Sequence, residues 1–563
     1  MFKTYYFSFK YDNLYVLRIY WLLMNSQLAK HTKVLILDDQ ALAKGYMKYS
    51  LEELGFSDIT YVDKINLALT TLRNQRFDLI ICSYNLKHEQ DGYYFYDEVK
   101  TNGELPLSTA FVFISADTNS DLVQSIIELQ PDDFLAKPFT VKELDRRLSR
   151  VLTRKKALND VYLCIDKRQF IRALSEVELF LGNPKHSEFF PLALKIKGEM
   201  LTACGNFQQA KDFYSAILKV QTFTWAQLGL VNSYLHLNED ELAEKLVLRL
   251  AFKPDSQLAA YDLLTALQIK QNDFDTALEC VMMATEISPR SIRRHKTVLD
   301  LSRITHDYET QFEAAKKIVR FAKNSIHDRP ENYLNVARAG IDYAMTTEAS
   351  DTDRLVKQAK EYVRQLKQAF PQADVQEQMK VVNARIMYLE DEKGNALALL
   401  NKLDEDSWDN EGVDALLDKA KIFHDVGLHE RSQAVLQQIE ERCKDDPNQN
   451  QIFLHYINQE KEEKSAIKFS SKDLNNKAVR YFQKGDINNA MEVFTQAFAI
   501  MPKNTSIALN LMQAISTQAS KPGVLSLPDP ILKKCIKTIE NGKLNDLQQE
   551  RYHKIRTILD ALE

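Results

Sequence analysis

Two patterns of hydrophobic and polar residues divide the chain. Over residues 32–153, short apolar runs alternate with segments of helical spacing. Val34 to Leu37, Ile59 to Val62, Asp78 to Cys82, Ala110 to Ile114 and Asp133 to Leu135 read as five strands. Runs without polar alternation belong to strands covered on both faces of a parallel sheet. Helical spacing over Ala41 to Leu54 stops at Gly55, a second helix spans Leu67 to Arg73, and a last one starts near Thr140 and runs past Leu152. Strands alternating with helices predict a doubly wound α/β domain with a five-stranded parallel sheet of flavodoxin type. From residue 154 onward the apolar positions follow helical spacing alone and recur with a period of about 34 residues, the signature of an all-α solenoid. Residues 154–525 form that array, and residues 526–563, with Ile531, Ile536, Ile539 and Leu544, read as helices that cap it.

In a doubly wound sheet, ligands sit beyond the carboxyl ends of the strands. The residues there are Asp38 and Asp39 after the first strand, Ser83 after the third, Ser115 at the end of the fourth, and Lys137 with Pro138 after the fifth. This set resembles the receiver domain of two-component response regulators over about 120 residues. The resemblance implies roles: Asp38 and Asp39 as the acidic pair that holds Mg²⁺, Ser115 as the hydroxyl and Lys137 as the lysine that contact phosphoryl oxygens, and Phe134 as the aromatic that rearranges on activation. Asn85 follows the acceptor position as in many members. The acceptor position itself departs from the pattern. Within Phe77-Asp78-Leu79-Ile80-Ile81-Cys82-Ser83-Tyr84-Asn85-Leu86, Ser83 stands where the phosphoacceptor aspartate belongs. A carboxylate both ligates Mg²⁺ and attacks phosphorus, whereas a serine hydroxyl is neutral and lacks a partnering base here. The domain therefore reads as a pseudo-receiver. Any Mg²⁺ binding by Asp38 and Asp39 is weakened. Glu89 and Asp91, on the following loop, are the alternative acceptors, and without phosphorylation Lys137 is expected to pair with Asp39.

The helical part is similar to tetratricopeptide (TPR) arrays. Ala478, Tyr481, Gly485, Ala490, Phe494, Ala497 and Pro502 carry the resemblance in the clearest unit, Asp473 to Asn504; Tyr261, Leu264, Phe274, Ala277, Val281, Ala284 and Pro289 carry it in a second. Gly198, Gly205, Ala210 and Tyr214 mark a third, and Trp225, Leu228, Gly229, Ala243 and Pro254 a fourth. Small residues let paired helices approach, large ones fill the gap to the next pair, and proline ends the second helix. At that period the array would hold roughly ten or eleven helical hairpins. The resemblance implies a concave surface that binds peptides or protein segments, with Asp262, Ala266, Ile269 and Lys270 facing it in one unit and Asn475, Val479 and Phe482 in another.

Composition narrows the function classes. The 563 residues carry 73 Lys and Arg against 78 Asp and Glu, a net charge of −5 that does not attract a nucleic acid backbone. Six cysteines stand far apart with no CxxC pair, which fits small core residues in a reducing cytoplasm and no zinc site. His424 and His429 read as surface residues of a hairpin turn, and the basic run Arg146, Arg147, Arg150, Arg154, Lys155, Lys156 as a solvated helix face. The aromatic start, residues 1–31, has no apolar run long enough to span a membrane. It reads either as lying upstream of a true start at Met24 or as an amphipathic segment touching a membrane or partner. No catalytic triad, GxxxxGK[ST] loop or HExxH helix occurs, so the chain is not expected to be an enzyme or to hold a required cofactor. As a whole it resembles receiver–TPR auxiliary proteins of the VieB type, which accompany a hybrid sensor kinase and a second response regulator. That resemblance implies a hybrid sensor histidine kinase or phosphotransfer domain as one partner and a second protein in the TPR groove. It leaves a phosphorylatable regulator and a plain TPR scaffold as alternatives.

Overall fold

The computed structural model describes residues 26–86, 91–117, 128–323, 325–347, 349–403, 408, 411–445, 451–467, 469–519, 529–542, 544 and 546–560. Met24, Glu89 and most of the N-terminal extension lie outside them. The chain divides into two compact units at Glu239 and Asp240.

The first unit opens with α1 (Ser26–His31) and five parallel strands: β1 (Lys33–Leu37), β2 (Asp58–Val62), β3 (Leu79–Ser83), β4 (Ala110–Ser115) and β5 (Asp133–Ala136). Their order is β2-β1-β3-β4-β5. Every residue of β3 and β4 is buried, as their unbroken apolar runs require. Helices α2 (Ala41–Glu53), α3 (Ile65–Asn74), α4 (Gly92–Thr101) and α5 (Val141–Ala157) flank the sheet. One layer of core forms around Leu35, Ile80, Phe95, Phe111 and Phe113, and another around Val34, Ile36, Leu79, Val112 and Leu148. The alternation of these residues along each strand shows that both faces of the sheet are covered.

Helix α5 starts at a Thr140 cap that accepts the Glu143 N–H and runs unbroken to Ala157, so the boundary expected at residue 153 falls inside a helix. The basic run on α5 is only half solvated. Arg146, Arg150 and Lys156 are exposed, whereas Arg147 reaches Asp133 at 2.7 Å, and Arg154 and Lys155 both reach Asp132, at 2.6 and 2.9 Å. Leu144, Leu148, Val151 and Lys155 share one helical stripe, which carries Lys155 into a buried position. There its ammonium also donates to the Leu107 carbonyl, while the Leu107 N–H donates to Asp166.

Helices α6 (Asn159–Asp166), α7 (Phe170–Leu181), α8 (Phe190–Ala203), α9 (Phe207–Val220) and α10 (Thr224–His236) complete this unit, each packed on the next. Tyr214 of α9 is clamped between Gly198 of α8 and Gly229 of α10; a Cβ at either glycine would collide with its ring. That close approach explains both glycines in the repeat pattern.

The second unit is wholly helical among its described residues. It comprises α11 (Asp240–Ala251), α12 (Gln257–Lys270), α13 (Phe274–Ile287), α14 (Ile292–Ile304), α15 (Tyr308–Ala322), α16 (Pro330–Ala344), α17 (Ala349–Ala369), α18 (Gln376–Leu389) and α19 (Lys393–Leu400). It continues with α20 (Val413–Asp425), α21 (His429–Asp445), α22 (Gln451–Ala466), α23 (Ser471–Gln483), α24 (Ile487–Ile500), α25 (Thr505–Ala519), α26 (Asp529–Asn541) and α27 (Asp546–Asp560). Pro289 and Pro502 stand two residues beyond the ends of α13 and α24. The succession is consistent with a repeat array. Two apolar cores form: one from α13 through α22, the other from α23 through α27. Helix α22 packs on α21 and also on α14, some 150 residues earlier in the chain.

Candidate functional site

The pocket of the first unit lies where the strand order reverses, at the carboxyl ends of β1 and β3. Each β1 residue from Val34 to Leu37 pairs with β3 from Leu79 to Cys82, and this register places Asp38 beside Ser83. Asp38 is anchored twice: its Oδ1 accepts the Gln40 N–H at 2.9 Å and its Oδ2 accepts Lys137 Nζ at 2.9 Å. The pairing expected for Lys137 was with Asp39; the structure gives it to Asp38. Asp38 stands one residue beyond β1, and Lys137 one residue beyond β5. Both side chains of the pair keep some solvent contact, 11% for Asp38 and 22% for Lys137.

Ser83 is buried, and its hydroxyl donates to the Asn85 carbonyl at 3.3 Å. Gly92, at the start of α4, presses on the Ser83 carbonyl and Cys82 Sγ so closely that any side chain there would collide. Ser115 is buried too, and its Oγ accepts the Asp117 N–H at 3.0 Å. The Lys137 N–H donates to the Ser115 carbonyl at 2.7 Å, tying the ends of β4 and β5 together. Phe134 is half-buried against the core layer around Ile80, Phe95, Phe111 and Phe113. Beneath the pocket, burial together with the Asp38 charge pushes the Cys82 thiol well above its usual range, so it stays protonated and inert. Asp91 precedes α4 and is half-buried.

Chemically, Asp38, Asp39 and Lys137 together carry a single negative charge. The residues fit a divalent cation poorly: one of the two acids is already shared with Lys137 and a backbone N–H, and the third oxygen ligand is a neutral hydroxyl. Among the described residues no cluster of three or more metal-ligating side chains occurs.

A five-stranded 2-1-3-4-5 sheet with an acidic pair after β1, a hydroxyl at the end of β4 and a lysine–proline turn after β5 defines a receiver-type domain. Residues 34–149 match the family model described as the response regulator receiver domain, and through this segment the chain belongs to that family. A probable chemotaxis protein CheY of Rhizobium etli is 31% identical over 124 residues, covering 22% of this chain and 95% of that protein. Chemotaxis protein CheY-3 of Vibrio cholerae is 25% identical over 131 residues, covering 23% of this chain and 99% of that protein. Among solved structures, the chemotaxis response regulator CheY4 of Vibrio cholerae is 25% identical, with a TM-score of 0.20, covering 22% of this chain and 98% of that one.

In the helical unit, the residues expected to face an open groove are largely engaged. Asp262 is clamped by Arg294 at 2.8 and 2.7 Å, and Lys270 pairs with Asp240 at 2.7 Å. Asn475 lies 3.5 Å from Asn510, and Val479 and Phe482 are half-buried against the second core. Ala266 is exposed and Ile269 half-buried. Sequence reasoning missed the charged interior of this unit. Arg385 bridges Asp342 and Asp418, each at 2.6 Å, and Lys421 reaches Asp342 at 2.8 Å. Lys464 reaches Glu460 at 3.3 Å, and Lys419, fully buried, pairs with Glu411. Burial alone would raise the Glu460 carboxyl; Lys464 and Lys421 overcome it and hold it down at about 2. Charged residues interrupting the otherwise apolar run Ala415 to Phe423 were the available signal. His424 lies inside this interior, not on the surface: it is buried, and its Nε2–H donates to the Ile467 carbonyl at 2.7 Å.

Proposed function

We propose that the chain is a non-catalytic component of a two-component system whose receiver docks on a sensor kinase or phosphotransfer partner without accepting its phosphoryl group. By occupying that partner it restrains transfer to another response regulator, in the manner of VieB-type auxiliary proteins, while the helical array, read as TPR repeats, holds a second protein. One observation carries the reading: a buried serine at the acceptor position of a receiver frame whose acidic pair, hydroxyl and lysine are otherwise in place. The docking step is supported by α2, which follows directly on the acidic pair. Its Leu42, Tyr46 and Tyr49 form one apolar stripe, with Leu42 92% exposed. The net charge argues against nucleic acid as the target, and no helix among the described residues is long and apolar enough to cross a membrane. We place the protein in the cytoplasm on the same reading.

Incubation of the purified chain with a phosphorylated cognate kinase tests the proposal. No label should appear on this chain, and transfer to the true regulator should slow as the chain is added. Acid-labile phosphate on any residue of this polypeptide, Asp91 or Glu89 included, would refute it. Ser83→Asp is expected to restore the third carboxylate and permit labelling.

A further inference from the structure

Successive helices of the second unit pair as hairpins: α12 with α13, α14 with α15, α16 with α17, α20 with α21, and α23 with α24. Helix α22 stands outside this pairing. It packs on α21, but its other close neighbour is α14, the opening helix of a much earlier hairpin, and not α23, which follows it. It also meets α20, where Lys421 lies over the Tyr456 ring at 5.7 Å and 3.9 Å from Glu460. A helix without a hairpin partner, laid against the opening helices of two hairpins, sits as a bound helical peptide sits.

Its contacts divide by chemistry. Ile452, Tyr456 and Ile457 are buried in the larger apolar core and anchor it at positions i, i+4 and i+5. Its acidic groups, by contrast, find partners along its own length. Glu460 accepts the Tyr456 hydroxyl at 2.6 Å and pairs with Lys464 at 3.3 Å, and Glu463 accepts from Gln459 at 3.0 Å. On the opposing side, Lys421 holds Asp342 at 2.8 Å and Arg303 of α14 holds Asp414 at 2.9 Å. His306 faces Glu463 at 3.1 Å and also has the Tyr308 hydroxyl at 3.0 Å. Lys461 pairs with Glu440 of α21 at 2.7 Å, both side chains part-exposed. Removing α22 therefore strands no buried charge on either side, whereas withdrawing α16, α18 or α20 would strand several. What α22 leaves behind is an apolar face with the Lys421 ammonium beside it.

Resting on the reading of the helical unit as a protein-holding array, we propose that α22 is a built-in ligand of that array, seated where an amphipathic helix of the partner docks, and that the partner binds by displacing it. The partner's helix carries what α22 carries: apolar or aromatic side chains at i, i+4 and i+5, and a carboxylate at i+8 turned to Lys421. With α22 in place the array is closed to that partner, whose affinity is set by competition with a tethered segment. No residue of the receiver pocket takes part.

The probe is a labelled synthetic peptide of residues 451–466. It is titrated into the full chain and into the full chain carrying Tyr456→Ala with Ile457→Ala, which loosens α22 and leaves the docking face unaltered. The altered chain is expected to bind the peptide at least tenfold more tightly than the unaltered one. A peptide carrying Glu460→Lys should bind the altered chain at least tenfold more weakly than the parent peptide. Hydrogen exchange of the unaltered chain needs no substitution: α22 should open locally, exchanging faster than α16, α18 and α20, and faster still with saturating peptide. Exchange of α22 only in step with α20, or equal peptide affinity in the two chains, would overturn the proposal. Peptide binding to the unaltered chain with α22 protection unchanged would overturn the displacement alone and keep the array as a protein holder; no binding to either chain would remove both.

Discussion

The receiver pocket and the interior of the helical unit both bring acids and bases together, yet they use them differently. In the pocket, one ion pair, Lys137 with Asp38, stands at the ends of strands and keeps contact with solvent. In the helical unit, Arg385, Asp342 and Asp418 are nearly inaccessible and each charge has more than one partner. A pair that keeps some solvent contact gains less from its own attraction and can exchange partners at lower cost, which suits a docking or binding site. A closed network cannot lose a member without stranding a buried charge. Charge alone does not mark a site; the solvent left around it does.

Substitutions can break this contrast. The largest effect is expected for Arg385→Ala, which leaves Asp342 and Asp418 short of a partner deep in the fold. It should destabilise the helical unit by about 3–5 kcal/mol in denaturant unfolding, with hydrogen exchange rising first in α18. Acid should attack the same network. The Glu460 carboxyl sits at about 2 in the fold against 4.5 when unfolded, so its contribution is complete above about pH 4.5 and is lost as pH falls through about 2. Urea midpoints across that range should fall with pH, and the slope should flatten in Glu460→Gln.

Next in size is Gly229→Ala, whose new methyl would meet the Tyr214 ring. About 1–3 kcal/mol of stability should be lost, and Tyr214→Leu in the same chain should recover part of it. Asp132→Asn, which weakens the hold of Arg154 and Lys155, should cost about 1.5 kcal/mol and speed proteolysis near Leu107. The smallest change is expected for Lys137→Met, below about 1 kcal/mol, because water already reaches the pair it dissolves. A large loss there would show that the pocket is built like the helical interior and would erase the distinction.

The sequence announced the receiver fold because its strands are continuous apolar runs bounded by Gly, Pro and acidic residues, a pattern that little else produces. Asp38, Ser83, Ser115 and Lys137 were legible for the same reason, since strand ends are easy to find. The choice of Asp38 over Asp39 as the lysine's partner was not, because adjacent residues differ only in which way a side chain leaves the strand. Lys155 and His424 misled by type: both are usually exposed, and only their place on an apolar stripe or among inner helices buries them. The network around Arg385 joins residues 33 to 79 positions apart, a distance over which periodicity carries no information.

The unbroken course of α5 from Val141 to Ala157 has a practical corollary for anyone dissecting the molecule. A fragment ended at residue 153 would discard Arg154, Lys155 and Asp166, the side chains that staple Asp132 and the Leu107 backbone from outside the sheet. Its poor behaviour would then say nothing about Ser83, and a fair excision should retain at least the whole of α6.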